Sequence, residues 1–260
     1  MTWSAARYVA LTVGGTTALR PPRSTVRFLY GHTLEAKDCA RFRRTLRMLR
    51  NAFDFVSFQS AVTLLRDPSP PAGRYLTFSF DDGYLDHYEL IAPLLTEAGA
   101  SACFFVTTGF IGCDDGYREH FLRSVVRQPA TRRPMTWRMV KELADAGFEI
   151  GAHTVDHPNL AQIGIREAER QVIESAVDIE RRLTSQCRWF AWPFGTAAHF
   201  PTALLPEVTT RFDGVFSAIR SKCQLAYDGQ VINRDHFEPS WPTSHVRYFA
   251  FRRTVRAESR

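Results

Sequence analysis

The sequence predicts an α/β fold, a distorted (β/α)7-type barrel in a single domain, and three observations support this prediction. From Val26 onward, short apolar runs suited to buried strands alternate with longer segments of helical period, a pattern typical of a parallel sheet with crossover helices. The chain has 260 residues, of which 45% are hydrophobic, and this is enough to bury one large core. No long linker, internal repeat or low-complexity segment interrupts the pattern.

Seven strand candidates and four helix candidates follow one another along the chain. The strands are VRFLY from Val26, YLTFSF from Tyr75, ACFFVT from Ala102, FEIGAH from Phe148, WFAW from Trp189, GVFSAI from Gly214 and QVIN from Gln230. The helices are Asp38 to Asn51, Tyr88 to Ala98, Trp137 to Ala146 and Glu167 to Leu183. Asp86 with Glu89 predicts a capping box, and Gly99 and Gly147 predict left-handed helix ends. We expect an N-terminal extension over residues 1–25 and one domain over residues 26–260.

The composition argues against several classes of protein. The net charge of +6 comes largely from arginine, and a solvated helix face is the simplest account of the cluster in 41–50, with an anionic glycan or membrane surface as the alternative. No nucleic-acid motif is present, and the aromatic residues lie in apolar runs, so no nucleic-acid partner is expected. No run approaches the roughly 18 to 20 apolar residues that a transmembrane helix needs.

The N-terminal segment and the cysteines bear on the cellular compartment. Met1 to Arg20 lacks the long apolar region and the cleavage site of a signal peptide. The five cysteines are scattered and never form a C-x-x-C pair, which predicts reduced thiols and no thiolate zinc site. We therefore expect a cytoplasmic protein, while the sequence leaves its oligomeric state open.

Two adjacent carboxylates follow the second strand candidate, in Phe80-Asp81-Asp82-Gly83-Tyr84. The carboxyl edge of a parallel sheet is where sites are built, because the loops there converge. Adjacent side chains diverge, so the two aspartates need different tasks. An ordinary Asp-Asp-Gly turn is the alternative interpretation.

Two histidines four residues apart, His153 and His157, follow another strand candidate. Such a pair can hold one metal ion, and Pro158 favours a tight turn over a helix at His157; a structural pair is the alternative. Two imidazoles and one carboxylate leave an open coordination position, which is typical of a catalytic metal site. The second aspartate would accept a proton from the attacking water.

These segments resemble the polysaccharide deacetylase family, carbohydrate esterases with a NodB homology domain and a distorted β/α barrel. Phe78 to Gly83 is similar to the family's T-F-D-D-G motif, and His153 to His157 is similar to its H-S/T-x-x-H motif. An A-x-F-F strand, Ala102 to Phe105, lies between them. The resemblance covers roughly Tyr75 to Gly195 and implies that residues 26–260 form a catalytic domain.

The resemblance also implies roles for individual residues. Asp81 would be the general base, and the divalent metal ion would be held by Asp82, His153 and His157. Zn²⁺ suits this donor set, although cobalt, nickel, manganese or iron use the same ligands. Thr154 would steady the loop between the two histidines.

The family's R-x-P-Y motif appears here as Ala191-Trp192-Pro193-Phe194, so its arginine is missing. In the family that arginine orients the base carboxylate. We hypothesise that Arg234, on the last strand candidate, supplies the positive charge beside Asp81 instead. In the family, the backbone N–H at the position of Phe194 stabilises the oxyanion. This donor does not depend on the side chain, so phenylalanine provides it as tyrosine does.

The sequence indicates the general acid and the sugar-contacting residues less directly than it indicates the metal ligands and the base. The leaving amine needs a proton, and His236 lies where the family's late histidine is expected, with His32 and His245 as alternatives. Aromatic side chains that could stack on sugar faces are Trp192, Phe194 and Trp241, the last being the best candidate.

The expected function is hydrolysis of an N-acetyl or related acyl group from an amino sugar in a polysaccharide, oligosaccharide or glycoconjugate. Two alternatives are a metal-dependent hydrolase of a non-sugar linear or cyclic amide, and an inactive carbohydrate-binding relative. A substrate panel separates the two enzymes, and glycan binding without acetate release identifies the inactive relative.

Overall fold

Ten strands form one curled sheet in the computed structural model, which describes residues 5–17, 21 and 24–255. The strands are β1 (Thr25–Gly31), β2 (Asp54–Phe55), β3 (Arg74–Phe80), β4 (Ala102–Val106), β5 (Glu149–Ala152), β6 (Trp189–Ala191), β7 (Gly214–Ser217), β8 (Leu225–Ala226), β9 (Val231–Asn233) and β10 (Asp235–His236). Their order is β10-β1-β3-β4-β5-β6-β7-β9-β8, with β2 also beside β3. Every pairing is parallel except that of β8 with β9.

One stretch of chain joins the two margins of this sheet. In β9, Val231 pairs with Val215 of β7, whereas in β10 Asp235 pairs with Leu29 of β1. Only Arg234 separates β9 from β10, so consecutive residues contact both margins. The predicted α/β fold of distorted-barrel type is confirmed, and all seven predicted strands are present.

Nine α-helices lie in the described ranges. They are α1 (Ala5–Thr17), α2 (Cys39–Arg50), α3 (Phe58–Arg66), α4 (Ala92–Glu97), α5 (Asp115–His120), α6 (Trp137–Asp145), α7 (Ile165–Leu183), α8 (Leu205–Arg211) and α9 (Thr243–Phe251). A π-helical turn, His87–Ile91, leads into α4, and another, Phe121–Val125, follows α5. The four predicted helices correspond to α2, the π turn with α4, α6 and α7, whereas α1, α3, α5, α8 and α9 had not been predicted.

The predicted capping box at Asp86 is wrong. The backbone of Asp86 is already helical, with φ −66° and ψ −15°, and its side chain makes no capping hydrogen bond. Its carboxylate instead accepts a hydrogen bond from the backbone N–H of Leu34, in the loop after β1. The predicted left-handed helix ends do occur, with φ of +64° at Gly99 and +89° at Gly147.

Helix α3 packs against the strands of the sheet through its buried residues. The hydroxyl of Ser57 caps this helix by accepting from the N–H of Ser60. Next to the cap, the buried ring of Phe58 packs between strands, 5.6 Å from the Phe28 ring and 4.8 Å from that of Phe216, measured between centroids. The backbone N–H of Gln59 donates to the carboxylate of Glu149, the first residue of β5, and the Phe58 ring lies 5.7 Å from that of Trp189, the first residue of β6, so this helix packs at the amino ends of these strands.

Three observations concern the membrane, the cysteines and the N-terminal helix. In residues 5–17, 21 and 24–255, no helix combines the length and apolarity needed to cross a membrane. All five cysteines are free thiols. Helix α1 packs against α9, and the domain boundary at residue 25 stays a prediction.

Candidate active site

The two adjacent aspartates lie at the carboxyl end of β3, at the base of an open cleft. Both carboxylates are buried, with 3% exposure for Asp81 and 4% for Asp82. The turn needs left-handed backbone, with φ of +80° at Asp82 and +94° at Gly83. The φ of Gly83 favours glycine because side chains strain this backbone conformation, and a Cβ would also lie 2.6 Å from Cδ1 of Ile111. This strained turn separates the two carboxylates.

Asp82 meets both histidines of the second motif. Its Oδ1 lies 3.3 Å from Nε2 of His157 and 3.6 Å from Nε2 of His153, and all three side chains are buried. Nδ1 of His153 donates to the carbonyl of Ala191 at 2.7 Å, which leaves the Nε2 lone pair directed towards Asp82. Burial lowers the pKa of His153 to about 4, so its imidazole is neutral near pH 7. Two imidazole nitrogens and a carboxylate oxygen fit Zn²⁺ or another divalent cation.

A turn, not a helix, carries the two histidines, as Pro158 predicts. Thr154 and His157 adopt left-handed backbone, with φ of +67° and +57°. The hydroxyl of Thr154 accepts from the N–H of His157 at 3.0 Å. Non-glycine residues in this conformation cost about 1–3 kcal/mol each and cluster at functional sites.

Gln171, on α7, holds this turn from behind. Its Oε1 accepts from the backbone N–H groups of Val155 and Asp156, at 3.1 and 2.9 Å, and its Nε2 donates to the Asp156 carboxylate at 2.7 Å. The side chain is buried, so these contacts are shielded from water. The sequence analysis missed Gln171, because a glutamine within a regular helical pattern carries no signal of its partners.

Asp81 is paired with Arg234, the residue hypothesised to replace the missing motif arginine. Nη1 and Nη2 of Arg234 donate to the two carboxylate oxygens of Asp81 at 2.7 and 2.8 Å. Nη1 also donates to the hydroxyl of Ser79 at 3.0 Å, and the guanidinium lies 4.6 Å from the ring centroid of Tyr30. Burial alone would raise the pKa of Asp81, but the charge and hydrogen bonds of Arg234, together with the charges of His153 and His32, outweigh burial, and the pKa lies below the usual value. The structure therefore brings these two residues together.

His32, His236 and Glu238 form a second cluster beside the aspartates. Oε1 of Glu238 lies 2.7 Å from Nδ1 of His32 and 2.8 Å from Nε2 of His236. Burial would lower the pKa of His32, but the Glu238 carboxylate raises it to about 9. The buried His87 donates from Nε2 to the carbonyl of His32 at 2.5 Å, which fixes the loop after β1. His245, the third acid candidate, is 1% exposed, and its Nε2 lies 3.0 Å from the hydroxyl of Thr12 on α1.

The aromatic candidates differ in exposure. Trp192 is 1% exposed; its Nε1 donates to the carbonyl of Thr196, and its ring packs against Phe200. The expected stacking role of Trp192 is therefore wrong, because no face of the indole is open to a sugar. Phe194 is 44% exposed, with φ of +60°, and Trp241 is half-buried with its ring 5.0 Å from that of His236.

One open cleft of about 950 Å³ is lined by residues of both motifs and of the His32–His236–Glu238 cluster. Every predicted site residue lines it: Asp81, Asp82, His153, His157, Trp192, Phe194, Arg234, His236 and Trp241. His32 and Glu238 line it as well. His32 follows a strand candidate, as Asp81 does, so its place in the sequence indicated a site residue. Nothing in the sequence around Glu238 indicated its role.

The fold of this chain is shared with solved deacetylase structures. "Structure of IcaB from Ammonifex degensii" superposes with a TM-score of 0.67 at 21% identity, covering 89% of this chain and 99% of that one. The Streptococcus pyogenes deacetylase PplD, solved in complex with acetate, gives a TM-score of 0.64 at 18% identity, covering 88% and 99%. At these identities the likeness establishes the fold.

Sequence comparison establishes the family. "Putative polysaccharide deacetylase YxkH" of Bacillus subtilis (strain 168) is 24% identical over 145 residues, which make up 56% of this chain and 46% of that relative. The chain thus spans about half the length of the curated relative. A family model described as polysaccharide deacetylase matches residues 69–205, more than half of the chain and the part that carries both motifs. The chain belongs to the polysaccharide deacetylase family.

Proposed function

We propose that this protein is a metal-dependent hydrolase that removes an N-acetyl or related acyl group from an amino sugar in a polysaccharide, oligosaccharide or glycoconjugate. One observation carries the proposal: the buried Asp81–Arg234 pair lies beside a second carboxylate, Asp82, that meets two imidazoles. Family membership supplies the reaction class, hydrolysis of an amide. The cleft of about 950 Å³ has room for more than the reacting group.

The side chains that would hold the cation are Asp82, His153 and His157. Zinc is the preferred ion for two imidazoles and one carboxylate. A divalent cation held there supplies Lewis acidity towards the amide carbonyl. The hydrogen bond from His153 to the Ala191 carbonyl orients the ring for this task and fixes its tautomer.

Asp81 would act as the general base by accepting the proton of the attacking water. A base must be ionised before it can accept a proton, and the guanidinium of Arg234 favours the carboxylate form. The backbone N–H of Phe194 would donate to the oxygen on which negative charge develops. Because that donor belongs to the backbone, the departure from the family's tyrosine does not remove it.

His32 is the better supported proton donor for the leaving amine, in place of His236. The positive charge of His32 lowers the pKa of both Asp81 and Asp82, so it lies within electrostatic reach of both. Glu238 holds Nδ1 of His32 and keeps the ring protonated near pH 7, so the N–H at Nε2 remains for the substrate. His236 uses its Nε2 to hold the same carboxylate and so acts as a positioning residue in this proposal.

The test is acetate release by the metal-stripped and zinc-reloaded protein from a panel of N-acetylated amino-sugar oligomers, with linear and cyclic amides in parallel. The proposal expects release from at least one glycan, loss on chelation and recovery on reloading. Release from the non-sugar amides alone would contradict the sugar assignment. Glycan binding without release from any compound would identify an inactive relative.

A further inference from the structure

Among the described residues that line the cleft, the charged side chains pair with one another, with one exception. Three of the described residues that line the cleft are acidic. Asp81 is paired with Arg234, and Asp82 lies beside two imidazoles. Glu238 lies beside His32 and His236. Arg220 also lines the cleft and is exposed. Within the described ranges its guanidinium has no ion pair and no hydrogen bond. In the part of the chain that the structure describes, Arg220 is therefore the one cation of the cleft without a charged partner.

The position of Arg220 relates it to the reaction centre. It follows β7, where the N–H of Ala218 donates to the carbonyl of Gly195 at 2.7 Å. Gly195 has φ of +67°, and a Cβ there would lie 2.3 Å from that of Ala218, so the β7 loop is held close to the turn of Phe194. The charge of Arg220 also acts on Tyr30, whose ring contacts the guanidinium of Arg234.

We propose that Arg220 forms a subsite for an anionic group of the substrate, so that the preferred glycan carries a carboxylate or phosphate next to the N-acylated amino sugar. This inference rests on the proposed function. A guanidinium presents a planar set of donors that matches the oxygens of either anion. A neutral hydroxyl would accept a hydrogen bond but would not compensate the positive charge of the guanidinium. A bond between two charged partners of this kind changes affinity by about 10- to 100-fold.

The test measures binding, so it does not depend on turnover. The probes are a neutral N-acetylglucosamine oligomer, an oligomer that alternates N-acetylglucosamine with glucuronic acid, and N-acetylglucosamine 1-phosphate with N-acetylglucosamine as its neutral match. Calorimetric titration uses the metal-stripped protein, in which the Asp81–Arg234 pair is intact and hydrolysis is not expected, as the parent and with Arg220→Gln or Arg220→Lys. Arg44→Gln, on the exposed face of α2 and outside the cleft, is the charge-matched control.

The expected result is that at least one anionic probe binds about 10- to 100-fold more tightly than its neutral match. Arg220→Gln should bring that ratio to within about threefold, Arg220→Lys should retain part of it, and Arg44→Gln should leave it unchanged. The anionic probe that shows the preference identifies the carboxylate or the phosphate as the ligand. Equal affinity for charged and neutral probes, or a ratio that survives Arg220→Gln, would overturn the proposal.

The two proposals fail in different ways. If no glycan is hydrolysed but the Arg220-dependent preference is measured, the proposed activity is wrong and the subsite stands. If neutral and anionic glycans are hydrolysed and bound equally, the activity stands and the subsite is wrong.

Discussion

The guanidinium of Arg234 donates two hydrogen bonds to the carboxylate of Asp81, at 2.7 and 2.8 Å, from the single residue that separates β9 from β10. The family motif would carry its arginine at the position of Ala191, on β6, where the backbone carbonyl instead accepts from His153. The same positive charge thus reaches the aspartate from the junction between β9 and β10 instead of from β6. This contact suggests that the Asp81 carboxylate keeps a neighbouring positive charge although the motif arginine is absent at Ala191.

Removing Arg234 should therefore impair both the fold and the base. Arg234→Ala leaves a buried carboxylate uncompensated, which costs about 3–5 kcal/mol in the free energy of unfolding. The pKa of Asp81 should rise, so the acid limb of kcat/KM should move to higher pH, with a rate loss of about 10²- to 10⁴-fold at neutral pH. Denaturant unfolding and pH–rate profiles measure the two effects. Arg234→Lys should give a stability and a pH–rate profile between those of the parent and of Arg234→Ala. An unchanged pH–rate profile in Arg234→Ala would show that the pairing does not set the pKa of the base.

Glu238 should control the alkaline limit of activity through His32. The folded pKa of His32 is raised to about 9, above an unfolded value near 6.5. The stability from this pair is therefore fully present below about pH 6.5 and is lost as the pH rises through about 9. In Glu238→Gln the alkaline limb of kcat should shift to lower pH, as measured on the best substrate. His32→Ala should lose turnover more severely than His236→Ala; the reverse order would return the acid role to His236.

Gln171 should affect the metal site without touching the metal. Gln171→Ala removes the acceptor for two backbone N–H groups of the turn between His153 and His157. Loss of such a supporting contact typically weakens metal affinity by about 10- to 100-fold. Competition with a chromophoric zinc chelator measures this dissociation constant. Gln162→Ala, at an exposed position, is the matched control, and equal zinc affinity in the two variants would remove Gln171 from the support of the site.

The side chain of Phe194 should be dispensable for the chemical step. Since the proposed oxyanion donor is the backbone N–H, Phe194→Ala should keep kcat within about threefold of the parent, whereas loss of one oxyanion donor costs about 10²- to 10³-fold. The ring is 44% exposed in the cleft, so KM should rise as its contact with the sugar is lost. Steady-state kinetics on one glycan separate the two constants. A collapse of kcat with unchanged KM would contradict the backbone assignment.

Contiguous signals made much of the site predictable from the sequence. The strand before Asp81, the Asp-Asp-Gly turn and the paired histidines each lie within a few residues, so their local geometry follows from neighbouring residue types. The parallel strand order then brings the two motifs to one edge of the sheet. Arg234 was predictable because it is a cation late in the sequence that can compensate for the arginine that the motif lacks.

Contacts distant in sequence could not be predicted in the same way. Glu238 and His32 are 206 residues apart, and their hydrogen bond exists because the stretch around β10 pairs with β1. The capping box failed at Asp86 because a tertiary partner, the N–H of Leu34, takes its carboxylate. Trp192 was misjudged because residue type does not reveal burial, and here Phe200 and the Thr196 carbonyl cover the indole.

The most direct test of the central claim is the rate of acetate release from an N-acetylated amino-sugar oligomer by the zinc-loaded protein and by Asp81→Asn at matched zinc content. Acetate and free amine should appear in equal amounts with the parent protein. The asparagine variant should bind zinc and glycan but release acetate about 10²- to 10⁴-fold more slowly. An Asp81→Asn variant that keeps the parent rate would contradict the account, as would a zinc-loaded parent that releases no acetate from any N-acetylated glycan.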